Sequence, residues 1–293
     1  MRQTQSSLTA QGIAVMRALE SERPAESRVC EDPYARQLVD GALFWVAKLF
    51  DRLGYGERRG PGLMGFLAAR ERHIDEYLSK CLANGLQQLV LLGAGFDARA
   101  YRFADQLRGT RVFEVDHPAT QRVKVSRVRR ILGELPANVA YVSVDFNTQS
   151  LAGRLREAGY DPGQKTLFIW QGVTQYLTPA AVDDTLRFVA GHSAPGSAVI
   201  FDYIFSALLD GTMRRGEVNA MRHNRWLSGE GLTFGIPAGA AAAFLTQRGF
   251  CEVQDVDGQW LHRAYFTGAR APRTVAEGYG IVSGVVAGRA RVV

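Results

Sequence analysis

At 293 residues, with 46% hydrophobic and 22% charged side chains, the chain can bury a sizeable core. That suits one large domain with an appendage and excludes a disordered polymer. The formal net charge of +6 comes almost wholly from arginine and is spread along the sequence, so nucleic acid is not an expected partner.

The longest apolar runs, ALFWVAKLF (42–50) and IPAGAAAAFL (236–245), are too short to span a bilayer, and Lys48 interrupts the first. MRQTQSSLTAQG, at the start, lacks the apolar centre of a signal peptide, and Cys30, Cys81 and Cys251 are far apart with no C-x-x-C. These features predict a soluble, cytoplasmic protein with no membrane partner, no disulfide framework and no zinc site.

The first 85 residues read as helical. SSLTAQGIAVMRALE (6–20) places apolar residues at helical spacing. DPYARQLVD (32–40) offers Asp32 as an N-cap and Pro33 at the first helical position. GLMGFLAARERHIDEYLSKCLANG (62–85) is long and amphipathic and closes on the stop signal Asn84-Gly85.

From residue 86 short apolar runs alternate with helical patterns. Strands are expected at QLVLL (88–92), RVFEV (111–115), AYVSV (140–144), TLFIW (166–170), SAVIFDY (197–203), FCEVQDV (250–256) and HRAYFT (262–267). Helices are expected at 117–131, 151–158, 179–191 and 238–248, the basic cluster RVKVSRVRR (122–130) forming an exposed helix face. The alternation predicts an α/β fold, a doubly wound, mostly parallel seven-stranded sheet. The short connection DGQWL suggests a closing hairpin with one antiparallel strand. The expected divisions are an N-terminal helical cover (1–85), an α/β domain (86–270) with a lid insert at about 204–236, and a tail (271–293) that fits either a docked strand or a frayed end.

In LLGAGFDARAYRF (91–103) an apolar strand ends in Gly93-Ala94-Gly95, where the backbone can turn sharply and a ligand can approach it closely. Glu114 follows 19 residues after Gly95, the separation at which an acid meets a ribose. The spacing by itself does not separate NAD from another ribose-bearing cofactor. No histidine among His73, His117, His192, His223 and His262 has metal-ligand spacing, so no metal is expected.

Four blocks in order, LVLLGAGFDARAYRF, VFEVDHPATQRVK, VSVDFN and WQGVTQYLT, resemble the leucine carboxyl methyltransferase family. The resemblance is nearer to its bacterial branch of S-adenosylmethionine-dependent O-methyltransferases, and TAQGIAVMRALE and DPYARQLV near the N-terminus share it. It covers roughly residues 8–267 and implies a class I methyltransferase sheet with S-adenosyl-L-methionine as cofactor. Carried over by position, Gly93 and Gly95, with Ala94 between them, admit the methionine moiety to the backbone. Arg70 pairs with the cofactor carboxylate, a planar group that a guanidinium binds bidentately. Asp116 holds the ribose hydroxyls with Glu114 assisting or anchoring the next loop, and Asp145 and Phe146 meet the adenine. Gln171 stands where the family often has glutamate; it can still hydrogen-bond the cofactor ammonium or a substrate polar group.

Methyl transfer from a sulfonium is an in-line displacement that needs positioning above all. A carboxylate acceptor is ionised at neutral pH and needs no base, whereas a phenol does. The resemblance implies a carboxylate, and Arg214, Arg215, Arg222 and Arg225 in the insert suit an anionic substrate. Tyr176, Tyr203 and Trp226 are the further substrate-side candidates, with Phe234 as apolar wall and His223 as a possible base. The expected activity is methyl-ester formation on a small or natural-product-like carboxylic acid. Hydroxyl methylation, a nicotinamide-dependent oxidoreductase and a non-catalytic cofactor-binding protein stay open.

Overall fold

The computed structural model describes residues 8–144, 149–213 and 231–288. Five helices precede the first strand: α1 (Leu8–Ser21), α2 (Ala35–Leu38), α3 (Gly41–Arg52), α4 (Tyr55–Arg59) and α5 (Leu63–Ala83). Asp32 stabilises the turn into α2 by accepting from the backbone of Tyr34 and Ala35, both at 3.0 Å. At the far end of α5 the chain leaves through Asn84 and Gly85, the latter at φ +78°, as the stop signal predicts.

Seven strands form one sheet in the order β3-β2-β1-β4-β5-β7-β6. They are β1 (Gln88–Leu92), β2 (Arg111–Asp116), β3 (Val139–Ser143), β4 (Thr166–Trp170), β5 (Ala198–Ile204), β6 (Phe250–Asp257) and β7 (Tyr279–Val286). β1 lies between β2 and β4, all parallel, while β7 runs antiparallel to both β5 and β6. The connecting helices are α6 (Arg99–Arg102), α7 (Pro118–Leu132), α8 (Leu151–Glu157), α9 (Pro179–Gly191), α10 (Ser206–Leu209), α11 (Ala241–Thr246) and α12 (Gly258–Tyr265). Helices cover both faces, which is why the central strands are buried throughout. One core packs the sheet against α1, α2, α5, α7 and α12; the other packs it against α8, α9 and α11.

The seventh strand is not where the sequence suggested. HRAYFT (262–267) falls in and just after α12, not in a strand, and DGQWL makes no hairpin. Asp257 caps α12 by accepting from Trp260 N at 2.7 Å, and Leu261 and Tyr265, four apart, face inward. The antiparallel strand comes from the expected tail. β7 lies inside the sheet, so the α/β domain runs past residue 270 to Val286. Its glycines are required by packing. A Cβ on Gly280 would come 2.6 Å from the ring of Tyr203, and one on Gly284 would come 3.0 Å from Phe250.

The basic cluster is also only partly an exposed face. Lys124 is buried against Glu114, and Arg127 donates to Leu38 O at 2.5 Å, tying α7 to α2.

Candidate functional site

The candidate site lies at the carboxyl ends of β1, β2, β4 and β5, where open α/β sheets bind ligands. Gly93 and Gly95 hold φ values of +68° and +46°. A Cβ on Gly93 would lie 2.4 Å from a methyl of Val173, so the loops after β1 and β4 meet there with no room for a side chain. Gly95 donates its N–H to Asp116 Oδ2 at 2.5 Å, and His117 donates its own to Asp116 Oδ1 at 2.6 Å. The last residue of β2 therefore fixes the glycine loop. Burial pushes the Asp116 carboxyl above its usual range, against the pull of those two N–H groups. Its further lone pairs are free to accept from hydroxyls. His117 itself caps α7, its Nδ1 accepting from Ala119 N at 3.2 Å.

Arg70, on α5, is buried and donates through Nη1 to Asp202 Oδ2 at 2.5 Å. The other oxygen of Asp202 accepts from Gly172 N, also at 2.5 Å. Arg70 Nε is buried with no hydrogen-bond partner among the described residues. A buried guanidinium held on one side and unpaired on another suits a carboxylate, which two parallel N–H groups can grip. Asp202 was missed in the sequence. Its signal was the period-two alternation of β5, which sends Asp202 and Tyr203 to opposite faces.

A second ionic cluster anchors the helical cover to the glycine loop. Arg99 is fully buried, pairing with Glu71 and Asp97 and with Asp75 at 2.7 Å. Arg17, on α1, pairs with Asp32 at 2.9 Å and Glu71 at 3.2 Å and donates to Phe96 O at 2.5 Å. Burial alone would raise the Glu71 carboxyl, but Arg99 and Arg17 outweigh it and hold it well below the usual carboxylate range. Arg99 Nη1 also donates to Gln171 Oε1 at 2.8 Å. Arginine only donates, so the amide oxygen of Gln171 faces Arg99 and the amide N–H groups are left for the other side.

Not every expected residue joins this site. Glu114 is completely buried, with Lys124 Nζ at 2.8 Å and the Tyr101 hydroxyl donating at 3.0 Å. Burial pushes its carboxyl up while Lys124 pulls it down, and the side chain acts as a strut between β2, α6 and α7 rather than as a ribose ligand. Tyr203, expected on the substrate side, is buried on the opposite face of the sheet. Its hydroxyl donates to Asp255 at 2.7 Å, so strand alternation removes it from the site. Phe234 packs against Phe244, its ring 5.8 Å away, within the core. Tyr176 sits half-buried on the 3-10 turn Thr174–Tyr176, directly after Val173. Asp145, Phe146, Arg214, Arg215, Arg222, His223, Arg225 and Trp226 lie outside the described residues. A groove of about 450 Å³ opens along the outer side of α5, between Val29, Glu31, Arg72 and Lys80; it includes none of the residues assigned to the cofactor.

The profile of the leucine carboxyl methyltransferase family matches residues 10–190. A Rhodococcus jostii protein, provisionally named an S-adenosyl-L-methionine-dependent methyltransferase, is 38% identical over 67% of this chain and 65% of its own length. A Streptomyces avermitilis protein with the same kind of name is 35% identical over 64% and 66%. The chain thus spans just under two thirds of the length of these relatives. Among solved structures, one from Thermobifida fusca, provisionally titled a methyltransferase, superimposes with a TM-score of 0.61 at 16% identity. It covers 97% of this chain and 96% of that one. The carbon methyltransferase CurJ gives 0.51 at 13% identity, over 95% and 68%. At such identities the structures establish a shared fold, that of the class I methyltransferases. By the family match over residues 10–190, more than half of its length, the chain belongs to the leucine carboxyl methyltransferase family.

Proposed function

We propose that this protein is an S-adenosyl-L-methionine-dependent O-methyltransferase that converts the carboxylate of a small or natural-product-like acid to a methyl ester. The observation that carries the cofactor reading is Arg70: buried, fixed by Asp202, and with an unpaired Nε. In this reading Arg70 grips the cofactor carboxylate. Gly93, Ala94 and Gly95 lie against the methionine portion, and Asp116 accepts from the ribose hydroxyls. Asp145 and Phe146 enclose the adenine by family resemblance alone. When bound, the cofactor supplies a methyl group already activated on a sulfonium.

The chain's own work is then to bind, orient and exclude water. The orientation of Gln171 supports an anionic acceptor. With its oxygen on Arg99, it offers N–H donors, which suit a substrate carboxylate better than the cofactor ammonium. A carboxylate, with a reference pKa of about 4, arrives ionised and needs no base. Tyr176 is placed at the same loop and, with Arg222, Arg225 and Trp226 of the insert, completes the proposed substrate side. The reading has no part for nucleic acid or a metal, and the partner is a small-molecule acid in the cytoplasm.

Thermal unfolding with S-adenosylmethionine, S-adenosylhomocysteine and NAD(P) tests the cofactor. A ligand at 100 times its dissociation constant stabilises by about 2.7 kcal/mol, which raises the midpoint by a few degrees. The expected result is a shift with the first two only; a shift with NAD(P) alone would overturn the reading. A screen over carboxylic acids then reads methyl-ester mass. Transfer to a hydroxyl instead, abolished in His223→Ala while cofactor binding survives, would replace the carboxylate.

A further inference from the structure

The helix α3 is built inside out. At about 100° per residue, Phe44, Ala47, Lys48 and Asp51 fall on one side and Leu43, Trp45, Val46, Leu49, Phe50 and Leu53 on the other. The first group turns inward. Phe44 is fully buried, and Lys48 is ion-paired with Glu22 and lies 5.0 Å from the ring of Trp45. The second group faces out: Trp45 is 59% exposed, Leu49 58% and Leu53 56%. Seven of the nine exposed large apolar side chains among the described residues fall between Leu43 and Tyr55, so this is one contiguous feature and not the usual scatter.

Basic side chains outnumber acids at one end. Arg52, Arg58 and Arg59 are exposed beyond the apolar face. The neighbouring acids have local partners. Asp40 caps α3 by accepting from Ala42 N and Leu43 N, and Glu57 accepts from Gly62 N at 2.9 Å and from Thr274 at 2.6 Å.

We infer that α3 and α4 form a docking face for an anionic lipid surface, on which α3 lies in the plane of the interface. The helix has 12 residues, about 18 Å, far less than the roughly 30 Å hydrocarbon core of a bilayer, so it rests on the membrane and does not cross it. Acyl chains would take Leu43, Val46, Leu49, Phe50 and Leu53. Trp45 and Tyr55 are the side chains that favour the headgroup level, and the three arginines meet lipid phosphates. A second copy of the chain fits less well, because it would bring two sets of Arg52, Arg58 and Arg59 into one contact, where Asp40 and Glu57 are already engaged within their own copy. The inference revises the expectation of no membrane partner and is independent of the methyl acceptor.

Co-sedimentation of the full chain with vesicles tests it, comparing phosphatidylcholine alone with phosphatidylcholine mixed with phosphatidylglycerol. The chain is expected to sediment with the anionic vesicles and to dissociate as salt rises. Trp45→Glu with Leu49→Glu should weaken that binding by at least about tenfold, since both side chains enter the lipid. Arg58→Ala with Arg59→Ala should reduce the preference for anionic over neutral vesicles while leaving the apolar face intact. Both pairs are exposed, and the thermal midpoint with S-adenosylmethionine checks that each variant stays folded. Absence of vesicle binding by the unmodified chain overturns the inference. So does equal binding by the Trp45/Leu49 variant. A concentration-dependent dimer that disappears in the same variant assigns the face to a second copy and equally overturns it.

Discussion

The two faces of the sheet bury different chemistry. Against α8 and α9 lie aromatic rings: Phe113 and Phe168 flank Tyr160 at 6.0 and 6.1 Å, and Phe188 meets Phe168 at 6.3 Å. Against α1 and α5 lie ions: Arg17, Arg70 and Arg99 with Asp32, Glu71, Asp97 and Asp202. The aromatic face gains stability from area and packing, which tolerate modest exchange. Desolvating so many charges gains little net stability over an apolar core, so energy alone does not account for the ionic face. What the ions achieve is position. They join the helical cover, the glycine loop and the loop after β4 into one frame around the candidate site.

The widest difference between the faces should come from Arg99→Met. It removes the cation shared by three acids, leaving Asp97 without its ion-pair partner while Glu71 keeps Arg17 and Asp75 keeps Arg102, and should cost about 3–5 kcal/mol, read by urea unfolding. A cost below about 1 kcal/mol would show that the cluster can be replaced without consequence. A smaller and more selective effect is expected from Asp202→Asn. It keeps the shape but removes the charge that holds Arg70. The cofactor dissociation constant should rise about tenfold, roughly 1.4 kcal/mol, when measured calorimetrically well below the unfolding midpoint. A purely structural Asp202 would lower the midpoint and leave that constant unchanged. On the aromatic face, Phe168→Leu should cost about 1 kcal/mol of stability with no change in cofactor affinity. Loss of affinity there would erase the division of labour.

Much of this was legible from local pattern. β1 to β5 announce themselves as short apolar runs, and the glycine loop, Asp116 and Arg70 stand in motifs. The missed features depend on partners distant in sequence. β7 reads poorly as a strand because Gly280 and Gly284 weaken its propensity, yet the Tyr203 ring of β5 leaves no room for a side chain at Gly280, and Phe250 of β6 with Leu245 packs closely on Gly284. HRAYFT alternates like a strand, but the Asp257 cap and the Leu261–Tyr265 spacing carry the helix. Tyr203 looked functional because it stands at the end of the fifth strand, where the topology points toward the site. One step along β5 reverses the face, and the carboxylate takes the position assigned to the phenol. The Arg17–Phe96 contact joins residues 79 apart, and no short motif encodes it.

The place of β7 also bears on how the chain becomes a protein during synthesis. β5, which carries Asp202, pairs on one side with β4 and on the other with Tyr279–Val286, a segment made well after β5 itself. Until that segment emerges, Ala198–Ile204 is a bare, apolar sheet edge, the form of surface that recruits other chains. A ribosome that stops short of residue 279 would therefore release a chain able to assemble its glycine loop but not to close its sheet. Assembly of the strand that anchors Arg70 waits for β7.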